Sequence, residues 1–260
     1  LIGALPHRVR RASGMKLRDA ADLITGASDG IGAALAAELR TRGARLALTG
    51  RNPQRLATVA QPGDFTLPGD LTDPDFRAGL FAQALNALGP LDLLVNNAGV
   101  GLYQPPSTTD IQVARALFEL NFFAAADLSQ RAIASMRPRR RGVIVNVSSI
   151  AGRVTLPWFS FYSASKFALT SFTEGLQAEL AGSGVRALIV SPGYVKTGFQ
   201  DNVLAGEPPP ALKNARRFAT TPEACARAIA DGIESNNHEL ITPWSGRLLV
   251  LAARWAPSLV

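Results

Sequence analysis

The chain of 260 residues has little cysteine, little histidine and no long apolar run. Its single cysteine, Cys225, excludes an internal disulfide framework and fits a reducing compartment, so we expect a cytoplasmic protein. The two histidines, His7 and His238, lie far apart in the sequence and predict no metal site. No uncharged apolar run approaches the roughly 18 residues that a membrane-spanning helix needs, so we expect no such helix.

Acidic residues are fewer than basic ones, with 20 Asp and Glu against 27 Lys and Arg and a formal net charge of +7. Such an excess can indicate a nucleic-acid or anionic-membrane partner. Here it is concentrated in five basic residues ahead of Asp19 and in four arginines, Arg137, Arg139, Arg140 and Arg141. The four surround a proline at an expected helix end, where cations are favourable. We therefore predict no nucleic-acid partner and keep that binding as a third hypothesis.

The order of segments predicts a parallel sheet. Short apolar runs alternate with longer segments of helical pattern, as in folds that cover both faces of a sheet with helices. Seven strands are expected: Asp22–Thr25, Arg45–Thr49, Asp64–Leu67, Asp92–Val95, Val143–Val147, Arg186–Val190 and Glu239–Thr242. The fold class is therefore α/β, a three-layer doubly wound Rossmann fold with a seven-stranded parallel sheet.

No internal repeat or Gly/Ser linker divides the chain, so residues 15–260 are interpreted as a single domain. Residues 1–14 are interpreted as a flexible arm or a cloning remnant, because no apolar stretch of a secretory signal follows their arginines. The only long irregular stretch, about 197–220, contains Pro208–Pro210 and is interpreted as a substrate loop. Asp22 is expected to start its strand or face solvent, since an unpaired buried carboxylate is costly.

The first strand continues into Thr25–Gly32, a turn with three glycines ahead of a helix. Such a turn lets the backbone approach a pyrophosphate, which the helix N-terminus attracts. The spacing alone is a weak signal, but its position on the first strand favours a dinucleotide site. The second strand ends in Gly50 and Arg51, which offer a cation and no carboxylate for the adenosine ribose. This favours NADP(H) over NAD(H), with a plain solvated Arg51 as the alternative.

Tyr162 and Lys166 are four residues apart in a helical segment and therefore share a face. A nearby ammonium favours the phenolate and lowers the phenol pKa, which makes tyrosine a usable acid and base near neutral pH. Ser148 and Ser149 follow the fifth strand, at the edge where parallel sheets bind ligands. Their hydroxyls can hold a substrate oxygen or simply cap a helix.

Together these segments resemble the short-chain dehydrogenase/reductase family, of the NADP-preferring carbonyl reductase or alcohol dehydrogenase type. The resemblance covers the chain from about Met15 to Thr197. It rests on the combination of seven pieces that are individually unspecific: Thr25–Gly32, Gly69–Leu71, Asn96–Gly99, Asn121, Ser148–Ser149, Tyr162 with Lys166, and Pro192–Thr197.

The resemblance implies four catalytic residues. Ser149, thirteen positions before the tyrosine, would orient the carbonyl in place of Ser148. Tyr162 would exchange a proton with the substrate oxygen, and Lys166 would lower the phenol pKa and bind the nicotinamide ribose. Asn121 would hold a water molecule that relays protons towards solvent.

The resemblance also implies the cofactor contacts. Asp70 and Leu71 would contact adenine, Asn97 the adenosine ribose side, and Val195 with Thr197 the nicotinamide carboxamide. The full implied set is Gly26, Ser28, Asp29, Gly30, Ile31, Gly32, Arg51, Asp70, Leu71, Asn97, Ala98, Gly99, Tyr162, Lys166, Pro192, Gly193, Val195 and Thr197.

The expected function is that of an NADP(H)-dependent oxidoreductase that interconverts an apolar ketone or aldehyde and its alcohol. The apolar substrate is inferred from the residues expected at the pocket mouth, Leu102, Tyr103, Leu156, Pro157, Trp158, Phe159, Tyr194 and Phe199. The alternative is a catalytically silent NADP(H)-binding regulatory or interaction protein on the same fold. The resemblance further implies a homodimer or homotetramer, and the apolar segment Trp244–Trp255 is expected to contact another subunit or a membrane surface.

Overall fold

The computed structural model describes residues 14–155, 157–208 and 219–255. Its strands, in chain order, are β1 Ala21–Thr25, β2 Arg45–Thr49, β3 Phe65–Thr66, β4 Leu93–Asn96, β5 Gly101–Tyr103, β6 Gly142–Val147, β7 Val185–Pro192, β8 Val203–Gly206 and β9 Glu239–Thr242. Seven of them form one parallel sheet in the order β3-β2-β1-β4-β6-β7-β9. The predicted α/β fold and its seven-stranded parallel sheet are therefore confirmed. The order reverses between β1 and β4, which is where such sheets open a ligand crevice.

The helices alternate with these strands, and several begin and end at the residues that the sequence predicted. They are α1 Gly30–Thr41, α2 Pro53–Val59, α3 Pro74–Leu88, α4 Ile111–Phe118, α5 Ala124–Met136, α6 Ser160–Glu179, α7 Pro222–Glu234 and α8 Ser245–Trp255. Asp73 caps α3, with Pro74 in the first turn, and Gly89 ends that helix. Thr221 caps α7 in the same way. A π-helical segment, Glu119–Phe123, joins α4 to α5.

Two apolar layers fill the space between the sheet and its helices. On one face, α1 and α7 contribute a buried group that includes Leu35, Leu39 and Ile229. On the other face, α3, α5 and α6 contribute a second group that includes Leu80 and Leu128. Successive residues of the strands alternate between the two layers, because side chains point to opposite faces of a sheet. This gives the three-layer arrangement expected from the sequence.

The short strands β5 and β8 were not predicted. They pair in parallel as a separate two-stranded sheet, with Gly101 opposite Val203 and Tyr103 opposite Gly206. The expectation of an irregular stretch over 197–220 is wrong for its first part, because a 3₁₀ turn at Gly198–Asp201 leads directly into β8. Three-residue and four-residue strands fall below the length at which an apolar pattern is recognisable. Residues 209–218 of that stretch lie outside the described residues.

The expected position of Asp22 is also wrong. This aspartate is the second residue of β1 and is fully buried, although a start position or solvent exposure was expected. Within the described residues, neither carboxylate oxygen has a hydrogen-bond partner. Burial raises the pKa of this carboxyl well above its usual range, and the nearby Asp92 raises it further. The cost of burying a charge is therefore avoided by keeping the group protonated.

The arginines after α5 form hydrogen bonds and ion pairs within the fold. Arg139 donates to the backbone carbonyl of Leu91, and its guanidinium lies 3.3 Å from the Asp92 carboxylate. Arg141 approaches the same carboxylate at 3.1 Å. Arg140 donates to the carbonyl of Gly182 at 2.8 Å. These contacts lie at the amino edge of the sheet, where β4, β6 and β7 begin, and they give three of the four arginines a partner within the fold.

The C-terminal segment forms α8 against the end of β9. Its exposed side carries Leu248, Leu251 and Trp255, and the exposed Trp244 lies just ahead of the helix. Leu249 lines the mouth of the cleft described below. Among the residues described, none of the helices combines the length and apolar character that crossing a bilayer requires.

Candidate active site

The turn between β1 and α1 is shaped by its glycines. Gly26 and Gly30 have φ values of +62° and +55°, in the left-handed region that favours glycine. A Cβ on Gly32 would overlap the carbonyl oxygen of Gly26, so only glycine lets α1 pack this closely on the turn. The helix N-terminus therefore faces the space above the sheet with bare backbone, and free N–H groups at such a terminus bind anions.

Asp29 caps α1 at this point. Its carboxylate accepts a hydrogen bond from the backbone N–H of Gly30 at 2.6 Å. The other carboxylate oxygen lies close to Gly198, where an added Cβ would approach it to 2.8 Å. The cap therefore connects the glycine turn to the segment that follows Thr197.

Asn97 holds the glycine turn in place. Its side-chain amide donates to the carbonyls of Thr25 and Gly26 at 3.0 and 3.1 Å. The Thr25 hydroxyl in turn accepts from the backbone N–H groups of Asn97 and Ala98. The ends of β1 and β4 are thus joined by hydrogen bonds, and Asn97 positions the turn as well as lining the cleft.

A cleft of about 980 Å³ runs along the carboxyl edge of the sheet, from the glycine turn to α6. Seventeen of the predicted site residues line it: Gly26, Ser28, Asp29, Gly30, Ile31, Arg51, Leu71, Asn97, Ala98, Gly99, Ser149, Tyr162, Lys166, Pro192, Gly193, Val195 and Thr197. The structure thus brings most of the predicted cofactor and catalytic residues to one cavity.

Three predicted site residues do not line this cleft. Gly32 is buried in the first turn of α1 and serves its close packing. Asp70 is exposed, and its carboxylate accepts from the backbone N–H and the hydroxyl of Thr72, both at 2.9 Å. It therefore shapes the loop before the neighbouring Leu71, which does line the cleft. Asn121 lies behind the cleft wall.

The two serines after β6 have different surroundings. The Ser148 hydroxyl lies 2.9 Å from the Lys166 carbonyl and 3.0 Å from the Thr170 hydroxyl, and so fixes α6 to the strand end. The Ser149 hydroxyl accepts from the N–H of Ala151 at 3.1 Å, and it lies near enough to the Tyr162 phenol to lower the pKa of that group. The structure therefore brings Ser149 to the phenol and gives Ser148 a structural contact.

Tyr162 and Lys166 share one face of α6, as their spacing predicted. The Lys166 ammonium lies 6.0 Å from the centre of the Tyr162 ring. It also donates to the Val147 carbonyl at 3.1 Å, which points it towards the end of β6. Both side chains are buried at the floor of the cleft.

The protonation of this pair differs from the expectation that the ammonium makes the phenol acidic. Burial raises the pKa of Tyr162 to about 12, and the nearby Ser149 hydroxyl opposes this only in part. Burial lowers the pKa of Lys166 to about 8. Desolvation outweighs the attraction between the two groups because neither charged form is hydrated in the cleft floor. Near neutral pH the phenol is therefore protonated, and the amine is largely protonated.

Asn121 lies in the π-helical segment between α4 and α5. Its carboxamide oxygen accepts from the Val100 N–H at 2.9 Å, and its nitrogen donates to the Val100 carbonyl and the Ser165 hydroxyl at 3.0 and 3.2 Å. Its oxygen and the Lys166 ammonium both lie next to Gly99, where an added Cβ would reach them at 3.1 and 3.3 Å. Asn121 is therefore adjacent to the lysine, with its side chain tied to the backbone after β4. Isolated π-helical turns are frequent at functional sites.

Arg51 lies at the end of β2, at the far side of the cleft from Tyr162. Its guanidinium donates to the Asn202 side chain at 2.9 Å, and both residues are exposed. The contact joins the loop after β2 to the segment before β8. Its guanidinium lies at the cleft rim, where solvent and ligand can both reach it.

Arg77 is a positioning residue that the sequence reasoning missed. It is buried in α3 and donates to the Leu71 carbonyl at 2.7 Å, to Glu119 at 2.8 Å and to Asp127 at 2.7 Å. It therefore connects the loop at one end of the cleft to the π-helical segment at the other. The available signal was its place on the stripe of α3 that continues with Leu80 and other apolar residues, since a core-facing arginine requires partners.

Aromatic side chains form the wall above the phenol. The rings of Phe159 and Phe199 lie 5.6 and 5.9 Å from that of Tyr162. Tyr103 contacts Phe159 edge-on at 4.8 Å, and Tyr194 also lines the cleft. Of the other residues expected at the mouth, Trp158 is half exposed outside the cleft lining, and Leu156 lies outside the described residues.

Comparisons with known proteins agree with this geometry. Residues 21–208 match the family model described as short chain dehydrogenase. Dehydrogenase/reductase SDR family member 7B of Mus musculus is 34% identical over 203 residues, which are 74% of this chain and 62% of that protein. Ketoacyl reductase HetN of Nostoc sp. is 32% identical over 226 residues, 84% of this chain and 77% of that protein. This chain thus spans about three fifths of the length of the mouse relative.

Solved structures give the same result. A short-chain dehydrogenase from Burkholderia cenocepacia in complex with NADP superimposes with a TM-score of 0.79 at 29% identity, covering 94% of this chain and 97% of that one. A short-chain dehydrogenase/reductase from Burkholderia phymatum in complex with NAD gives a TM-score of 0.83 at 25% identity, covering 94% and 96%. The chain belongs to the short-chain dehydrogenase/reductase family, a family of oxidoreductases.

Proposed function

We propose that the protein is an NADP(H)-dependent oxidoreductase that interconverts an apolar ketone or aldehyde and its alcohol. One observation carries this proposal. Ser149, Tyr162 and the buried Lys166 lie in the same cleft as a glycine turn at a helix N-terminus. A proton donor and an anion-binding backbone at two ends of one cavity are what carbonyl reduction by a dinucleotide requires.

A nicotinamide dinucleotide fits the residues of the cleft. A Cβ on Gly26 would press on Ala98, and one on Gly32 would overlap the Gly26 carbonyl, so the turn keeps the bare backbone that suits a pyrophosphate. Relatives of similar fold were solved with NADP and with NAD. Arg51 at the end of β2 favours the 2′-phosphate of NADP, because the neighbouring Gly50 offers no carboxylate to a ribose hydroxyl. When bound, the cofactor supplies or accepts the hydride.

The side chains at the other end of the cleft handle the proton. Ser149 and Tyr162 donate hydrogen bonds to the carbonyl oxygen, and Tyr162 transfers its proton to that oxygen during reduction. A phenol with a pKa of about 12 is in the protonated form that this step needs. Lys166, with a pKa of about 8, is charged near neutral pH and stabilises the phenolate that remains. Asn121 lies next to Gly99, as does the Lys166 ammonium. It would position the water molecule through which the proton is returned from solvent.

The substrate class follows from the wall of the cleft. Tyr103, Phe159 and Phe199 surround the phenol, and Leu249 of α8 lies at the mouth. A mostly apolar pocket with a few polar groups binds an apolar molecule in one orientation. We therefore infer a hydrophobic ketone, aldehyde or secondary alcohol in place of a sugar or a charged acid.

We further infer that the protein acts as a homodimer or homotetramer in the cytoplasm. Phe123 next to α5 and Phe167 on α6 expose large apolar surfaces on the side away from the sheet. Pairing of α6 with its copy would cover them, and would also fix the helix that carries Tyr162 and Lys166. The exposed side of α8 offers a second apolar surface for a subunit or a membrane.

The experiment is an absorbance assay of the purified protein with a panel of apolar ketones and aldehydes. We expect NADPH consumption that depends on the carbonyl compound, and weaker activity with NADH. Tight NADPH binding without turnover across the panel would favour the silent cofactor-binding alternative. A salt-dependent shift of DNA mobility by the protein would favour the nucleic-acid hypothesis.

A further inference from the structure

A second phenol lies next to the proposed proton donor. The ring of Tyr103 contacts Phe159 edge-on at 4.8 Å, and Phe159 contacts Tyr162 at 5.6 Å. The two tyrosines are therefore separated by a single ring, and both line the same cleft. Both phenols therefore belong to the wall that a bound carbonyl compound would face.

The backbone of Tyr103 is fixed by the small sheet of β5 and β8. Tyr103 pairs with Gly206, and Gly101 pairs with Val203. Gly206 has a φ of +78°, and an added Cβ would overlap the Tyr103 carbonyl, so only glycine allows strands this close. A side chain whose backbone is held in this way keeps its position before a ligand arrives, which favours selective binding.

The hydroxyl of Tyr103 is unpaired within the part of the chain that the structure describes. Tyr103 is 6% exposed, and within residues 14–155, 157–208 and 219–255 no group hydrogen-bonds its hydroxyl. Tyr103 lines the cleft, and in a mostly apolar pocket a donor without a protein partner commonly orients the ligand. Burial also raises the pKa of this phenol above its usual range, so it remains a donor at physiological pH.

We propose that Tyr103 donates a hydrogen bond to a second oxygen of the substrate, and that the site selects carbonyl compounds carrying an ester, thioester or keto oxygen beside the reacting carbonyl. This proposal rests on the proposed function. Tyr162 and Ser149 bind the oxygen that is reduced, and Tyr103 binds the oxygen that is not. A site built to hydrogen-bond a substrate group discriminates against the analogue that lacks it, since its own buried donor is then left unpaired.

The test compares two substrates and two proteins. An ethyl β-keto ester and the straight-chain ketone of equal length, with the ketone at the same position, are each reduced with NADPH by the wild type and by Tyr103→Phe. We expect the wild type to prefer the keto ester by about tenfold or more in kcat/KM, a difference of about 1.4 kcal/mol. Tyr103→Phe should lose about tenfold on the keto ester and stay within about twofold on the plain ketone.

Several outcomes overturn the proposal. Equal losses on both substrates would make Tyr103 a packing residue, and an unchanged thermal unfolding midpoint of Tyr103→Phe is the control for folding. If Tyr103→Phe still prefers the keto ester, the proposed hydrogen bond from Tyr103 to the second substrate oxygen is wrong. A weaker NADPH affinity in Tyr103→Phe, measured by cofactor fluorescence, would assign Tyr103 to the cofactor. Failure of the proposed function is distinguishable, because the wild type would then reduce neither compound.

Discussion

The two edges of the sheet use polar side chains in different ways. At the amino edge, Asp92 lies between Arg139 and Arg141, and its carboxylate forms an ion pair with each guanidinium. At the carboxyl edge, Tyr162 and Lys166 are buried with no charged partner among the contacts described, and burial shifts the pKa of each towards its uncharged form. The ion pairs at the amino edge stabilise the fold. At the carboxyl edge, burial of Tyr162 and Lys166 lowers stability but leaves both groups available to a ligand.

Asp22 is the exception that makes this comparison informative. It lies near the amino edge, yet it resembles the carboxyl-edge residues in being buried without a partner. A shifted pKa therefore does not identify a functional residue unless the group also lines a cavity. Tyr162 and Lys166 have shifted pKa values and also line the cleft, whereas Asp22 has a shifted pKa but does not line it. The predictions below separate stability from function at each edge.

The largest of these effects is expected at Lys166. Lys166→Met should lower kcat for ketone reduction by about 10²-fold or more, because the phenolate loses its cation. The wild-type rate should fall as pH rises through about 8, where the amine loses its proton, and the variant should lack that step. A pH profile of kcat measures both. A variant that keeps the wild-type profile would contradict this role.

The same substitution should stabilise the protein. Lys166 has a folded-state pKa of about 8 against a usual 10.5, so the unfolded chain binds more protons between these values and wild-type stability rises with pH there. At pH 7, burial of the charged amine costs roughly 3 kcal/mol of folding free energy. The hydrogen bond from Lys166 to the Val147 carbonyl offsets part of that cost. We expect Lys166→Met to raise the free energy of unfolding by about 1–2 kcal/mol at pH 7 in urea titrations. A loss of stability would contradict the comparison between the edges.

Asp22→Asn should change stability and leave catalysis unchanged. Because the folded-state pKa of Asp22 is raised, the native protein binds more protons than the unfolded chain above the usual carboxyl pKa of 3.8. Wild-type stability therefore falls as pH rises from that value, by at most about 1.4 kcal/mol per pH unit. The variant should lose this slope and be the more stable of the two proteins at pH 8. Urea titrations at several pH values measure it, and an altered kcat would show that Asp22 serves the site.

Arg51→Ala should change cofactor choice. We expect NADPH to bind about tenfold more weakly and NADH to bind as before, because one charge-assisted phosphate contact is lost. Fluorescence titration with both cofactors measures this, and Arg115→Ala on the exposed side of α4 is the matched control. Equal weakening with NADH and NADPH would instead indicate that the contact of Arg51 with Asn202 supports the cleft as a whole.

The smallest effect is expected at Arg141. Its side chain is 61% exposed, so its ion pair with Asp92 is screened by solvent. Arg141→Gln should lower the free energy of unfolding by about 0.5 kcal/mol or less, with kcat and KM unchanged. A kinetic change from this variant would mean that the two edges are coupled through the strands.

The sequence predicted the parts of the structure that depend on long apolar runs and on glycine. The seven strands, the capped start of α3 and the glycine turn follow from patterns that extend over several residues. The pairing of β5 with β8 did not follow, because it joins segments about a hundred residues apart that are each too short to have a period. The assignment of Ser148 and Ser149 to different contacts likewise depends on how α6 packs on β6.

Burial is the quantity that the sequence reasoning treated least well. It placed Asp22 at the start of its strand or facing solvent, and it let the ammonium of Lys166 decide the phenol pKa of Tyr162. In both cases desolvation is the larger effect, and it depends on the packing of distant segments. Arg77 was missed for the same reason, since only the folded chain brings Leu71, Glu119 and Asp127 within reach of one guanidinium.

The most direct measurement of the central claim is a single-turnover experiment on Tyr162→Phe with NADPH already bound. The account predicts that the loss of NADPH absorbance on adding a ketone slows by about 10²–10⁴-fold, with the NADPH dissociation constant within about twofold of the wild type. Turnover at the wild-type rate would contradict the assignment of Tyr162 as the proton donor. A lost cofactor affinity with the fold intact would contradict the separation of the cleft into a cofactor end and a proton-transfer end.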